Sequence, residues 1–185
     1  SIECMFAHGR GIILVGTSGG KGLIMAGFSK TVLHDDISAN ILIIAPTLVI
    51  FGQLYEEFKA AKLPITRLGD GNKPDFTKQI VLSTYTSLIR NMKKSVALFK
   101  DYDYVLVDEC HLVKKGNKIG TLISKIKTPH KFGFTGTLPT NTDDDILDRW
   151  TAIGKIGPVL YKIKTHELRE EYGSVSDVCV KAVRL

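Results

Sequence analysis

Two short stretches combine residue types and spacings that suit phosphate chemistry. The first is Gly16-Thr17-Ser18-Gly19-Gly20-Lys21-Gly22. It follows an apolar run and precedes a helical pattern, the context a phosphate-binding loop needs. Glycines let backbone N–H groups converge on phosphate oxygens, and the start of the next helix adds positive potential. Lys21 would reach the β- and γ-phosphates of a nucleotide. The next place is Gly22, where a Ser or Thr hydroxyl ordinarily ligates Mg2+. A water can fill that coordination position, because Mg2+ keeps several waters. Taken alone, the stretch equally fits a tight strand-to-helix turn with a surface lysine.

The second stretch is Tyr104-Val105-Leu106-Val107-Asp108-Glu109-Cys110-His111. Two adjacent carboxylates close an apolar run, and unpaired buried charge is costly. A strand end beside a phosphate loop suits a metal-binding Asp, here Asp108. Glu109 could then orient and activate a water as general base. A solvent-exposed strand end is the plainer account of either carboxylate by itself. Both stretches in this order, each at a strand end, say more than either. Cys110 reads as a small packed residue, not a nucleophile.

These residues need elements to hold them. Apolar runs at 11–15, 41–45, 80–83, 104–109 and 131–136 read as strands, several apolar on both faces, as in a parallel sheet covered by helices. Leu48, Phe51, Leu54, Tyr55 and Phe58 repeat at helical spacing. Weaker helical patterns cover 21–33, 84–91, 117–126 and 143–153. Asp143-Asp144-Asp145 suits a helix N-terminus. Residues 68–76 read as a loop, 175–185 as a last strand, and Trp150 as helix packing. The β-α-β rhythm predicts an α/β fold, a doubly wound and mainly parallel sheet with helices on both faces. Ligands of such sheets bind beyond the carboxyl ends of the strands.

At 185 residues the chain is the size of one domain. Three scattered cysteines suggest reduced thiols. No apolar run approaches the ~18 residues of a membrane span, and no signal peptide is visible. The chain lacks an initiator Met and ends while still apolar, which reads as part of a longer protein. The net charge is +6. No acid falls between Cys110 and Thr142, while Lys114, Lys115, Lys118, Lys125, Lys127 and Lys131 do. That segment is either a solvated basic face or a surface for a polyanion.

The phosphate loop, Ala45-Pro46-Thr47, Ser83-Thr84-Tyr85-Thr86-Ser87-Leu88, Asp108-Glu109-Cys110-His111 and Thr135-Gly136-Thr137 follow one another along nearly the whole chain. This order resembles that of superfamily-two (DEAD/DEAH-like) helicases, in their first RecA-like motor domain. The Asp-Glu-Cys-His box with Phe132-Gly133-Phe134-Thr135-Gly136-Thr137-Leu138 is most similar to phage UvsW-type helicases and related repair and restriction translocases.

The resemblance implies a single RecA-like ATP-binding domain over 1–185, with the second motor domain absent from this chain. It implies ATP and Mg2+ as cofactors, with Gly16 to Gly22 binding nucleotide, and Lys21, Asp108 and Glu109 catalytic. Asp108 would hold Mg2+ directly or through water. His111, Thr135, Gly136 and Thr137 would couple hydrolysis to domain movement. Pro46, Thr47, Ser83 and Thr84, with Gly69 and Gly71 nearby, would follow the nucleic-acid backbone. Partners would be nucleic acid, DNA before RNA, and a second RecA-like domain, with no membrane, in the cytoplasm of a bacterial or phage-infected cell.

Relatives usually carry Pro, Ala and Ser where this chain has Gly16, Gly19 and Gly22. The departure puts strong Mg-ATP affinity in question and leaves an alternative: a helicase-derived domain that binds nucleic acid or a partner with weak or lost ATPase. The isolated domain is expected to hydrolyse ATP little.

Overall fold

The computed structural model describes residues 2–16, 20–72, 74–91 and 102–163. Seven strands form one sheet: β1 (Arg10–Val15), β2 (Ile41–Ala45), β3 (Ile65–Leu68), β4 (Ile80–Thr84), β5 (Tyr104–Asp108), β6 (His130–Thr135) and β7 (Val159–Ile163). Their order is β3-β4-β2-β5-β6-β1-β7, and every pairing is parallel. The helices are α1 (Ile2–His8), α2 (Lys21–Asp35), α3 (Leu48–Ala60), α4 (Tyr85–Asn91), α5 (Lys118–Lys125) and α6 (Asp143–Ile156). A short 3-10 turn spans Cys110–Leu112.

The central strands are apolar on both sides because each faces a separate core. Ile13, Ile43, Leu82 and Leu106 pack with Met25, Phe28, Phe51 and Phe58 under α1, α2 and α3. Their neighbours Ile12, Leu42, Val81 and Val105 point the other way, onto Leu88, Leu122, Ile123 and Ile156 of α4, α5 and α6. All strands being parallel, their carboxyl ends form one edge. Val15, Ala45, Thr84, Asp108 and Thr135 all stand on it.

The edge strand β7 meets β1 at an unusually close approach. A Cβ built on Gly157 would lie 2.8 Å from the Cα of Gly11. One built on Gly11 would lie 2.6 Å from the carbonyl oxygen of Pro158. Both positions are left without side chains so that the Ile12 N–H can reach Pro158 O at 2.8 Å.

The five strands expected from the sequence are present, with ends shifted by a residue or so. The segments β3, β7 and α1 go beyond them. The expected strand over 175–185 lies outside the described residues. Trp150 does not pack inside. It is 63% exposed on α6, beside exposed Ile146 and Leu147, because α6 turns only Ala152 and Ile156 fully inward.

The lysines of the acid-free segment do not form one face. Lys131 is buried, its ammonium donating to the Ile123 and Ile126 carbonyls at 2.9 and 3.1 Å. Lys114 pairs with Asp148 at 3.1 Å. Lys115, Lys118, Lys125 and Lys127 are exposed.

Candidate functional site

The strand edge gathers Gly20, Lys21 and Gly22 of the first sequence stretch with Asp108 and Glu109 of the second. β1 ends at Val15, and the chain enters α2 at Lys21 after Gly20. Gly20 is the N-cap and has φ 72°, ψ 33°, a left-handed conformation natural to glycine. No side chain caps this helix start, so its first N–H groups remain for an anion. Thr17, Ser18 and Gly19 lie outside the described residues.

Lys21 forms an ion pair and hydrogen bond with Glu109 Oε1. Glu109 stands one residue past β5 in a left-handed conformation, φ 48° and ψ 51°. This is rare for a non-glycine residue, and strain of that kind gathers at functional sites. Its second oxygen lies 3.0 Å from His111 Nδ1. The same ring nitrogen is 2.9 Å from Thr135 Oγ1. The Thr135 hydroxyl is in turn 3.3 Å from Glu109 Oε2 and 2.9 Å from the Thr137 carbonyl. One polar chain thus joins α2, the end of β5, the 3-10 turn and the end of β6. Gly136 and Thr137 line a neighbouring cavity with Gly16.

Asp108 is 4% exposed, and its Oδ1 is buried without a hydrogen-bond partner. Native structures rarely leave such an atom unsatisfied. A hard oxygen donor that faces a cleft and lacks a partner fits Mg2+, which binds through one or two carboxylates plus phosphates. Burial pushes the Asp108 carboxyl up to about 6, against the pull of Lys21. Glu109 goes the other way. The His111 hydrogen bond, and then the Lys21 ammonium, hold it at about 2 against burial. The two neighbours are therefore chemically unlike: one tied down as a carboxylate, one uncomfortable as an anion until a cation arrives. Burial pushes the Cys110 thiol far up, out of nucleophilic range.

Sequence reasoning missed three contributors. The Tyr85 hydroxyl donates to the Asp108 carbonyl at 3.0 Å, fixing the end of β5 from α4. Gln53 and Glu57 of α3 line the same cleft of about 420 Å3 as Lys21, Gly22, Asp108 and Glu109. No local sequence signal marks them, since packing of α3 against α2 brings them there.

A second cleft, of about 210 Å3, opens on the same edge and brings Pro46, Thr47 and Thr84 together with Asp70 and Arg90. Thr47 also caps α3, accepting from the Ile50 N–H at 3.3 Å. Gly69 follows β3 and precedes Asp70, bridged to Asn72, and Gly71 lies in the same turn. Ser83 does not reach this surface. It is fully buried, and its hydroxyl donates to the Leu68 carbonyl at 2.8 Å.

Residues 2–140 match the family model described as "Type III restriction enzyme, res subunit". The chain belongs to this family. It is 28% identical to the "ATP-dependent DNA helicase uvsW" of Enterobacteria phage T4, covering 95% of this chain and 35% of that protein. The chain thus spans about a third of the curated relative it matches. Among solved structures, the UvsW helicase of bacteriophage T4 superposes with a TM-score of 0.67 at 23% identity, over 86% of this chain and 57% of that one. The Sulfolobus solfataricus SWI2/SNF2 ATPase core in complex with dsDNA gives 0.68 at 20% identity, over 93% and 37%. The all-parallel sheet of this family member has the RecA-like fold of the Sulfolobus ATPase core and of the Pyrococcus furiosus Hef helicase domain. No helix among the described residues is long and apolar enough to cross a membrane.

Proposed function

We propose that this chain is the ATP-binding motor domain of an ATP-dependent DNA helicase or translocase. The observation that carries the reading is the Lys21–Glu109 pair beside the orphaned Asp108 oxygen, at the mouth of an uncapped helix. Gly20, Lys21 and the first N–H groups of α2 would cradle the phosphates. Asp108 would hold Mg2+, which supplies charge neutralisation between the phosphates. Glu109, kept ionised by His111 and Lys21, would orient the attacking water and take up its proton at the carboxylate. As phosphates draw Lys21 away from Glu109, the partners left to that carboxylate are His111 and Thr135. This chain of contacts would carry the state of the nucleotide to Gly136 and Thr137. Pro46, Thr47 and Thr84, with the Gly69 turn, would meet the nucleic-acid backbone, where contacts are largely independent of sequence. The full motor would need a second RecA-like domain and would work in the cytoplasm of a bacterial or phage-infected cell.

A second reading has one observation in its favour. Gly22 offers no hydroxyl to a metal, as expected of a helicase-derived binding domain with weak or lost ATPase. A titration with a fluorescent ATP analogue, with and without Mg2+, separates the readings. The motor reading expects Mg2+-strengthened binding that falls about tenfold or more in Lys21→Ala, since a charge-assisted contact is worth about 1.5–3 kcal/mol. Equal binding by wild type and Lys21→Ala would sink it.

A further inference from the structure

The hydroxyl missing at residue 22 has a replacement within reach. α3 turns Ile50, Gln53, Leu54 and Glu57 toward the cleft that Lys21, Gly22 and Asp108 also line. Their three- and four-residue spacing puts them on one helical stripe. A Cβ built on Gly22 would lie 1.8 Å from Glu57 Oε2 and 2.8 Å from its carboxyl carbon. The carboxylate oxygen therefore stands roughly one covalent bond's length from the point where a serine side chain would begin. Residue 22 is bare where Glu57 arrives. On the same cleft stands Asp108, 4% exposed, with its unpartnered Oδ1. A second carboxylate and an unsatisfied buried one thus share a space that phosphates would enter beside Lys21.

We propose that Glu57 supplies the metal-binding oxygen that residue 22 lacks, so that Glu57 and Asp108 together hold the divalent cation of a bound nucleotide. The proposal rests on the nucleotide reading above. Hard cations such as Mg2+ take carboxylate oxygens as readily as hydroxyls, and two carboxylates plus phosphate oxygens form an ordinary Mg2+ environment. The exchange has an electrical consequence. A hydroxyl is neutral, whereas Glu57 adds negative charge where the phosphates must sit. Without the cation, that charge repels nucleotide. With the cation, it tightens the complex. Binding in this protein is thus more strictly coupled to metal than in a loop that ends in serine.

The test uses the 185-residue chain with Mn2+ as a paramagnetic stand-in, read by electron paramagnetic resonance, beside the fluorescent nucleotide titration with and without metal. Glu57→Ala is expected to weaken Mn2+ binding in the nucleotide complex by about tenfold or more, while metal-free nucleotide binds at least as tightly as in wild type. Adding Gly22→Ser to Glu57→Ala is expected to restore much of the metal affinity, now through the hydroxyl. Unchanged Mn2+ affinity in Glu57→Ala would overturn the assignment. So would tighter metal–nucleotide binding, which would make Glu57 a plug, and so would equal weakening with and without metal, which would make its role one of packing. Absence of nucleotide binding by folded wild type would overturn the nucleotide reading itself, and this proposal with it.

Discussion

Lys131 spends its ammonium on two carbonyls at the end of α5, well inside the protein. Burial, with the repulsion of Arg10, Lys127 and Lys155, pushes its amine down to about 8. In the unfolded chain it titrates near its ordinary value of ~10.4. Between these two values the unfolded state binds more protons, so stability rises with pH across that window. Below about 8 both states are protonated, and the gain is absent. The neutral amine keeps two N–H groups, enough for both carbonyls. Denaturant unfolding at about pH 7.5 and about pH 9.5 should show wild type gaining about 2 kcal/mol relative to Lys131→Met. A parallel response of the two proteins would refute it. The composition of the 110–142 segment could not disclose this, because a buried lysine and a surface one look alike in a sequence. Asp108 and Glu109 were legible for the opposite reason: their neighbours along the chain place them at a strand end. Glu57 reaches the same cleft from another helix, and only packing reveals it.

Among the elements, α6 shows how local signals fix a boundary. Thr142 accepts from the Asp145 N–H at 3.1 Å, and the Asp145 carboxylate accepts from the Thr142 N–H at 3.2 Å. With Asp143 and Asp144 also in the first turn, three carboxylates oppose the positive end of the helix dipole. Thr142→Ala should lower stability by about 1 kcal/mol in urea unfolding and leave the affinity for nucleotide unchanged. A loss below about 0.3 kcal/mol would mean that the aspartates hold the helix start alone. This start was readable from the aspartate run. The strands divide by position. β1, β2, β4 and β5 are covered on both faces and show continuous apolar runs, and β6 shows Phe132 and Phe134 about Gly133. β3 and β7 are the two edges of the sheet. Most of their residues are only half-buried, so the signature that reveals the inner strands is missing from them. Trp150 misleads for a related reason: a large aromatic implies a core only when its helix turns that side inward.

At the scale of the whole molecule, the sheet is a partition with a core on each side, and the candidate site lies where both reach its carboxyl edge. Lys21 belongs to the helix layer of one core, and His111 to the turn beside the other. Glu109 lies between them.

At the sheet's outer margin, Gly11 and Gly157 behave as a lock with two matching halves. Neither can drift alone, because a methyl at either one meets backbone of the opposing segment. Gly157→Ala should therefore wedge β7 from β1, and hydrogen exchange should speed up in β7 while β2, β4 and β5 keep their protection. Uniform acceleration across the sheet, or none, would contradict this. In mutational terms, no second change at residue 11 can compensate a first at 157, since glycine already has nothing left to remove. A library randomised at both positions and selected for folding should return the glycine pair. That seam is a dead end for sequence variation in a chain that elsewhere, at Gly22 and Glu57, shows a vacancy at one residue filled by another.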